Sequence, residues 1–422
     1  MIELRRKIEA EIVEHGPIPF SRYMELCLYD PDFGYYSRNA SQFGKAGDFY
    51  TSSDVHAVFG RLLARQFDEM WRVLGSPEPI AIRELGPGRG LFARDVLDWS
   101  EKKFPEFFQA LRYELVEQSH ALRARLEETL RKHLESGKAA LATSGAKVYS
   151  SGEPSGATEV AGFQSSSSQC NPTQSSPTES RPAQLTPIQS GPTQSDVPQS
   201  HSTIVFGNEF FDAMPVEIIS REGSLRIDVR NGRFVETWVS SSAEELEFLD
   251  RYSIHPEAGE RVEISLASIA EMLGEATIEC GFMVVIDYGY EREEQLAGRH
   301  RGTLKAIRQH SVSANPYEAP GEQDITAEVN FTALAAIAEQ SGFHLQKLIT
   351  QSQFLLGIGE ANQFADAFED CRLPQEKAKV ALQLKHLVTP AGMGEAFHVL
   401  VASKGVDIAK ASGLAGLSFG RG

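Results

Sequence analysis

The chain has 422 residues, 41% of them hydrophobic, enough for one large or two ordinary domains around a sizeable core. Lysine plus arginine number 41 against 58 acids, and the net charge of −17 argues against a general nucleic-acid binder, because phosphate contacts need a basic face. Such a charge suits a basic protein or peptide substrate, although acidity for solubility alone is the commoner reason for it. The four cysteines, Cys27, Cys170, Cys280 and Cys371, are scattered and form no C-x-x-C pair. That predicts reduced thiols and no metal site.

In chain order, Ile2, Leu4, Ile8, Ile12 and Val13 fall near one helical face, and residues 16–19 end that helix. This start mixes acids with bases and has no signal-type apolar run. No stretch approaches the roughly 18 apolar residues of a membrane span. The chain is therefore read as cytoplasmic. Ser21 is expected to cap a short helix over 22–28, and an aromatic turn follows at Tyr29, Phe33, Tyr35 and Tyr36, most of whose rings are expected to pack locally. Residues 44–54 form a polar, glycine-bearing loop ending in Thr51, Ser52, Ser53 and Asp54 before a helix over 55–74. The loop reads either as a cap for that helix, by Ser53 or Asp54, or as a lid over a ligand.

The apolar run 80–86 enters ELGPGRG (84–90), and a helix is expected over 91–103. Glycine lets the backbone take positive φ and lets a ligand lie against it. Helix N-termini add unpaired N–H groups. Dinucleotide enzymes favour G-x-G-x-x-G. Here Gly86, Gly88 and Gly90 alternate, with Glu84 two positions ahead, a spacing that resembles the first motif of class I S-adenosylmethionine (AdoMet) methyltransferases. A second strand, 112–117, ends on Glu117, where α/β nucleoside-binding folds place an acid for the ribose hydroxyls. A helix over 119–134 and a short third strand at 147–149 are expected next.

Residues 150–202 hold 14 Ser, 7 Pro and 7 Gln, with a proline every fifth residue from Pro172 to Pro192. So little apolar content cannot offset the entropy of ordering, and the stretch is read as a disordered insertion. The core pattern resumes at 203. Strand four leads into NEFFDAMP (208–215), which puts Asn208, Glu209 and Asp212 at the carboxyl end of a buried strand, where open α/β sheets bind ligands. Residues 216–240 alternate as a three-stranded antiparallel meander. A helix over 261–274, an all-apolar strand five at 281–289, a polar loop to 326, and a helix over 331–341 follow. Strand six near 344–349, a helix over 373–387 and strand seven at 396–403 complete the set.

With ELGPGRG, LVEQS (115–119), NEFFDAMP, VVIDYG (284–289) and PGEQDIT (320–326) in this order, the chain resembles the MidA-like methyltransferases. The mitochondrial member of that family is an arginine methyltransferase that assists respiratory complex I assembly. GYY (34–36), GDFYTS (47–52) and the 354–359 segment also match, and the resemblance spans nearly everything outside 150–202. It departs at Ser53, Asp54 and Asn330, where the family commonly has Pro, Glu and Asp, and in the insertion itself.

The resemblance implies an α/β, Rossmann-like class I methyltransferase fold with a seven-stranded, mostly parallel sheet and helices on both faces. A helical N-terminal extension with the lid (1–78), a core in two halves (79–149 and 203–405) and a flexible tail (406–422) complete the layout. AdoMet is the implied cofactor, with Glu84, Gly86, Gly88, Gly90, Glu117, Thr51 and Ser52 around it. The implied acceptor is an accessible arginine of a protein, giving symmetric dimethylarginine. Glu209 and Asp212 would hold the guanidinium and Asn208 would align it, with Asp287, Tyr288 and Asp324 as second choices. No metal, nucleic acid or membrane span is expected, and a homo-oligomer is left open. A non-catalytic assembly factor, a nicotinamide enzyme on the same fold and a small-molecule methyltransferase stand as alternatives.

Overall fold

A computed structural model describes residues 2–37, 57–142, 202–308, 311–313 and 315–419. Thr51, Ser52, the strand expected at 147–149, and the insertion up to 201 lie outside the described residues.

The chain opens with α1 (Ile2–His15), β1 (Ile18–Pro19) and α2 (Phe20–Tyr29), followed by α3 (Ala57–Val73). The first half of the core is β2 (Ile80–Leu85), α4 (Leu91–Lys103), α5 (Pro105–Ala110), β3 (Leu111–Val116), α6 (His120–Thr129), α7 (Arg131–Glu135) and β4 (Ala139–Ala142). It resumes at β5 (Ser202–Asn208), followed by a single 3-10 turn at Phe211–Ala213. The insertion holds β6 (Glu217–Ser220), β7 (Gly223–Arg230), β8 (Arg233–Val239), α8 (Ala243–Tyr252) and β9 (Arg261–Ile264). Next come α9 (Leu266–Glu275), β10 (Gly281–Tyr290), α10 (Arg292–Leu296), β11 (Lys305–Arg308), β12 (Ser311–Ser313), β13 (Asp324–Thr326) and β14 (Val329–Asn330). The chain closes with α11 (Phe331–Gln340), β15 (His344–Leu345), β16 (Ile349–Thr350), α12 (Gln351–Glu360), α13 (Ala365–Phe368), α14 (Pro374–Val388), β17 (Phe397–Lys404) and α15 (Ile408–Ser412).

The central sheet runs β15-β17-β10-β5-β2-β3-β4. The five strands from β10 to β4 are parallel, and β17 is antiparallel to both of its neighbours. This is the expected seven-stranded, mostly parallel sheet. Strand order reverses between β2 and β5, and a crevice opens there beyond the carboxyl ends. Side chains alternate faces as the pleat requires. Ile80, Ile82, Ile204, Phe206, Val284 and Ile286 pack under α3 and α4. Leu85, Val205, Met283 and Val285 face α9 and α11. Because both faces are covered, β10 is apolar almost throughout.

Several expectations change. The edge strand is β4, an Ala-rich run whose own β-propensity is poor. Pairing with β3 decides it. The helix expected over 119–134 breaks at Leu130. Residues 261–264 are strand β9, paired antiparallel with β6, so the helix expected over 261–274 begins only at Leu266, capped by Ser265. Strand six is two two-residue pieces against β17. Ser21 does not cap α2. It donates to Glu217 at 2.5 Å.

The meander forms as expected, and β1 joins it. Leu4, Ile8, Phe20, Tyr23 and Met24 of α1 and α2 pack against Leu225 and Ile227 of that sheet, forming a core of their own. The stretch 1–78 thus divides, since α3 packs on α4 over the central sheet. Residues 406–419 are not the flexible tail expected. Ala411, Leu414 and Leu417 are buried in the main core, and the Ala415 and Gly416 amides donate to Glu69 and Gln66 of α3. Cys27 and Cys371 are free thiols.

Candidate functional site

The glycine turn closes β2 at the switch point. Gly86, Gly88 and Gly90 have φ of 60°, 53° and 74°, all left-handed, which L side chains adopt only at a cost. Gly86 N–H donates to the Val116 carbonyl, and Gly90 caps α4. A Cβ on Gly86 would meet the Phe210 ring, and one on Gly90 would meet Leu126. A Cβ on Gly88 would meet nothing within 4 Å, so that side of the turn is open.

Glu84 lies beneath the turn, only 5% exposed, and accepts from the Tyr113 hydroxyl at 2.8 Å. Burial pushes its carboxyl up to about 8, with Glu117 adding to the effect. Glu117 stands at the end of β3 and accepts from the Ser119 amide at 2.8 Å and from the Gln118 and Gly88 amides. Burial pushes it up to about 7. The turn and this acid are therefore tied directly through Gly88.

NEFFDAMP lies across the crevice. The contact between Gly86 and Phe210 brings the two motifs together. Glu209 sits at φ 50°, an unfavourable conformation for a residue with a side chain, and accepts from Asn208 Nδ2 at 3.2 Å. The loop is organised by Asp287 at the end of β10. Its Oδ2 accepts from the amides of Phe210, Phe211 and Asp212 at 3.0–3.4 Å, and its Oδ1 accepts from Tyr288 N–H. Asp212 accepts at one oxygen from the Tyr288 hydroxyl at 2.5 Å and from Thr326 at 3.0 Å. Among the described residues, its other oxygen and Asn208 Oδ1 are buried without a hydrogen-bond partner. Burial raises Asp212, against the two hydroxyl bonds. Burial also raises Asp287, with Asp212 and Glu209 adding to it.

Sequence reasoning left out three contributors. Tyr36 donates to Asp324 at 2.9 Å, Tyr29 donates to the Ala213 carbonyl at 2.9 Å, and the two rings stack at 5.5 Å. Thr326 is the third, reaching Asp212 from β13. Burial holds both phenols, and that of Tyr288, above the usual range, so they stay neutral donors. The sequence alone suggests only local packing for this aromatic turn. The density of tyrosines there was the signal available.

The arrangement is a crevice with a bare-backbone turn and Glu117 on one side and buried carboxylates on the other. Residues 62–349 match a family model described as "Putative S-adenosyl-L-methionine-dependent methyltransferase". The chain belongs to this methyltransferase family. A superfamily member from Burkholderia thailandensis, solved bound to S-adenosyl-homocysteine, is 26% identical with a TM-score of 0.73, covering 97% of this chain and 94% of that one. The protein arginine methyltransferase NDUFAF7 homolog, mitochondrial, of Drosophila melanogaster is 28% identical over 96% of this chain and 85% of that protein. The human protein arginine methyltransferase NDUFAF7, mitochondrial, is 26% identical over 93% and 81%.

The cofactor of the family is AdoMet, and the residues present fit it. The open side of Gly88 leaves room for a ligand, and Glu117 offers a carboxylate beside it. Among the described residues no helix is long and apolar enough to cross a membrane, and no cluster of three or more His, Cys, Asp or Glu could hold a metal ion.

Proposed function

We propose that this methyltransferase acts on a guanidinium nitrogen of a protein arginine, giving symmetric dimethylarginine. The observation carrying this reading is the pair of buried acceptors without a hydrogen-bond partner among the described residues, Asp212 Oδ1 and Asn208 Oδ1, on a loop whose surroundings hold Glu209, Asp287 and Asp324. Burying carboxylates is costly, and an incoming guanidinium offsets that cost with charge and a planar fork of donors. The names of the Drosophila and human relatives support the same acceptor.

Bound AdoMet supplies an electrophilic methyl on a sulfonium. The turn from Gly86 to Gly90 and Glu117 would hold the cofactor, Glu117 by accepting from its ribose hydroxyls, while buried Glu84, bonded to Tyr113, sits two residues before the turn. Glu209 and Asp212 grip the guanidinium, and Asn208 aligns it and excludes water. A guanidinium does not ionise free in water, so its lone-pair density must be concentrated on one nitrogen by carboxylates on the others. Positioning carries much of the rate.

The test is mass spectrometry of methylarginines in cells with and without this chain. Loss of symmetric dimethylarginine from at least one protein is the expected result. An unchanged methylarginine profile would set the arginine reading aside while leaving the family assignment standing.

A further inference from the structure

One residue touches both halves of the crevice. The Tyr36 carbonyl accepts from the Ser119 hydroxyl at 2.7 Å, and its own hydroxyl donates to Asp324 at 2.9 Å. Ser119 also donates its amide to Glu117, and its side chain caps α6. On the far side, Asp324 and Thr326 occupy alternate positions of β13 and so share a face. Thr326 then donates to Asp212. Hydrogen bonds therefore run from Glu117 through Ser119 and Tyr36 to Asp324, the backbone of β13 carries the link on to Thr326, and Thr326 bonds Asp212. This is a second link between the two sides, besides the contact between Gly86 and Phe210. The helices behind Tyr36 are held by the separate α1–α2 core, so the bridge has a firm abutment.

We propose that Tyr36 is a positioning residue that couples the two half-sites, so that ordering the Glu117 side with cofactor also orders Asp324, Thr326 and Asp212 on the acceptor side. Both ends move together because one residue carries both bonds, one at its backbone carbonyl and one at its phenol. Filling the cofactor side fixes Ser119, Ser119 fixes the Tyr36 backbone, and the phenol then fixes Asp324. The inference rests on the cofactor site and not on arginine as the acceptor.

The experiment is amide hydrogen exchange on the full chain with and without S-adenosylhomocysteine, for wild type, Tyr36→Phe and Tyr23→Phe. Tyr36→Phe removes only the hydroxyl and keeps the ring that stacks on Tyr29. Tyr23 is the control, because its buried hydroxyl bonds the Pro316 carbonyl within the separate α1–α2 core. In wild type, ligand should slow exchange at 324–327 as well as at 117–122, by about fivefold or more at each. In Tyr36→Phe the slowing should survive at 117–122, with the dissociation constant of S-adenosylhomocysteine unchanged, and vanish at 324–327. Tyr23→Phe should behave as wild type. Protection at 324–327 that is missing in wild type, kept in Tyr36→Phe, or lost in both variants overturns the proposal. The arginine reading fails separately, by the methylarginine profile, and leaves this test intact.

Discussion

Gly86 and Phe210 are in contact so close that a Cβ on the glycine would lie 2.7 Å from Phe210 Cδ2. These residues stand 124 positions apart, one in each motif that flanks the crevice. Their contact sets the width of the site on that side, and it demands glycine twice over, for the space and for the left-handed backbone.

Gly86→Ala should therefore lower stability by about 1–3 kcal/mol, the cost of a strained backbone residue, and displace Phe210. Gly88→Ala meets no protein atom, so its stability loss should stay near the left-handed cost of about 1–2 kcal/mol. Its main effect should be weaker cofactor binding. Thermal melts beside calorimetric titration with S-adenosylhomocysteine separate the two. Wild-type affinity in Gly88→Ala would remove the turn from the cofactor site.

Glu117→Ala should weaken AdoMet binding by roughly 1–3 kcal/mol, the range for a lost charge-assisted hydrogen bond. The same titration checks it, and an unchanged dissociation constant would refute the ribose role.

Glu84 gives a pH dependence. Its carboxyl is raised from 4.5 to about 8 in the fold, so between those values the native state holds a proton that the unfolded chain has released. Stability of the ligand-free protein should fall as pH rises from about 5 to 8. Glu84→Gln keeps an acceptor for Tyr113 and does not titrate, so its melting temperature should vary less over that window. Equal pH slopes for the two proteins would show that the buried acid does not carry the effect.

Glu209→Gln should leave S-adenosylhomocysteine affinity intact while transfer drops by roughly 100- to 1,000-fold, as for other lost transition-state contacts. Asp287→Asn should act differently. It sets an amide donor against one of the backbone N–H groups now satisfied, and should cost about 1–3 kcal/mol of stability as well as activity. Full turnover in Glu209→Gln would take that residue out of the mechanism.

Truncation after Lys404 should destabilise the fold. It exposes the sites of Leu414 and Leu417, each worth about 1.5–3 kcal/mol of burial, and strips Glu69 and Gln66 of their amide partners. A truncated chain melting with the full one would mean that the segment adds nothing.

The sequence by itself determined the strands that carry the chemistry. ELGPGRG and NEFFDAMP could be read because β2, β5 and β10 are apolar runs broken by glycine or acid, a local pattern that buried parallel strands impose. The helix at 91–103 was legible for the same reason. Only the tertiary structure decided β4 and β9, because an alanine-rich run and a four-residue segment become strands through their neighbours. It alone folded residues 406–419 onto α3, since a short stretch of small and apolar residues without a regular period does not say which distant surface it will be buried against. It alone turned Tyr29 and Tyr36 from a packing turn into the far wall of the crevice. Their partners lie at 119, 213 and 324, and hydrogen bonds across such separations have no signature along the chain.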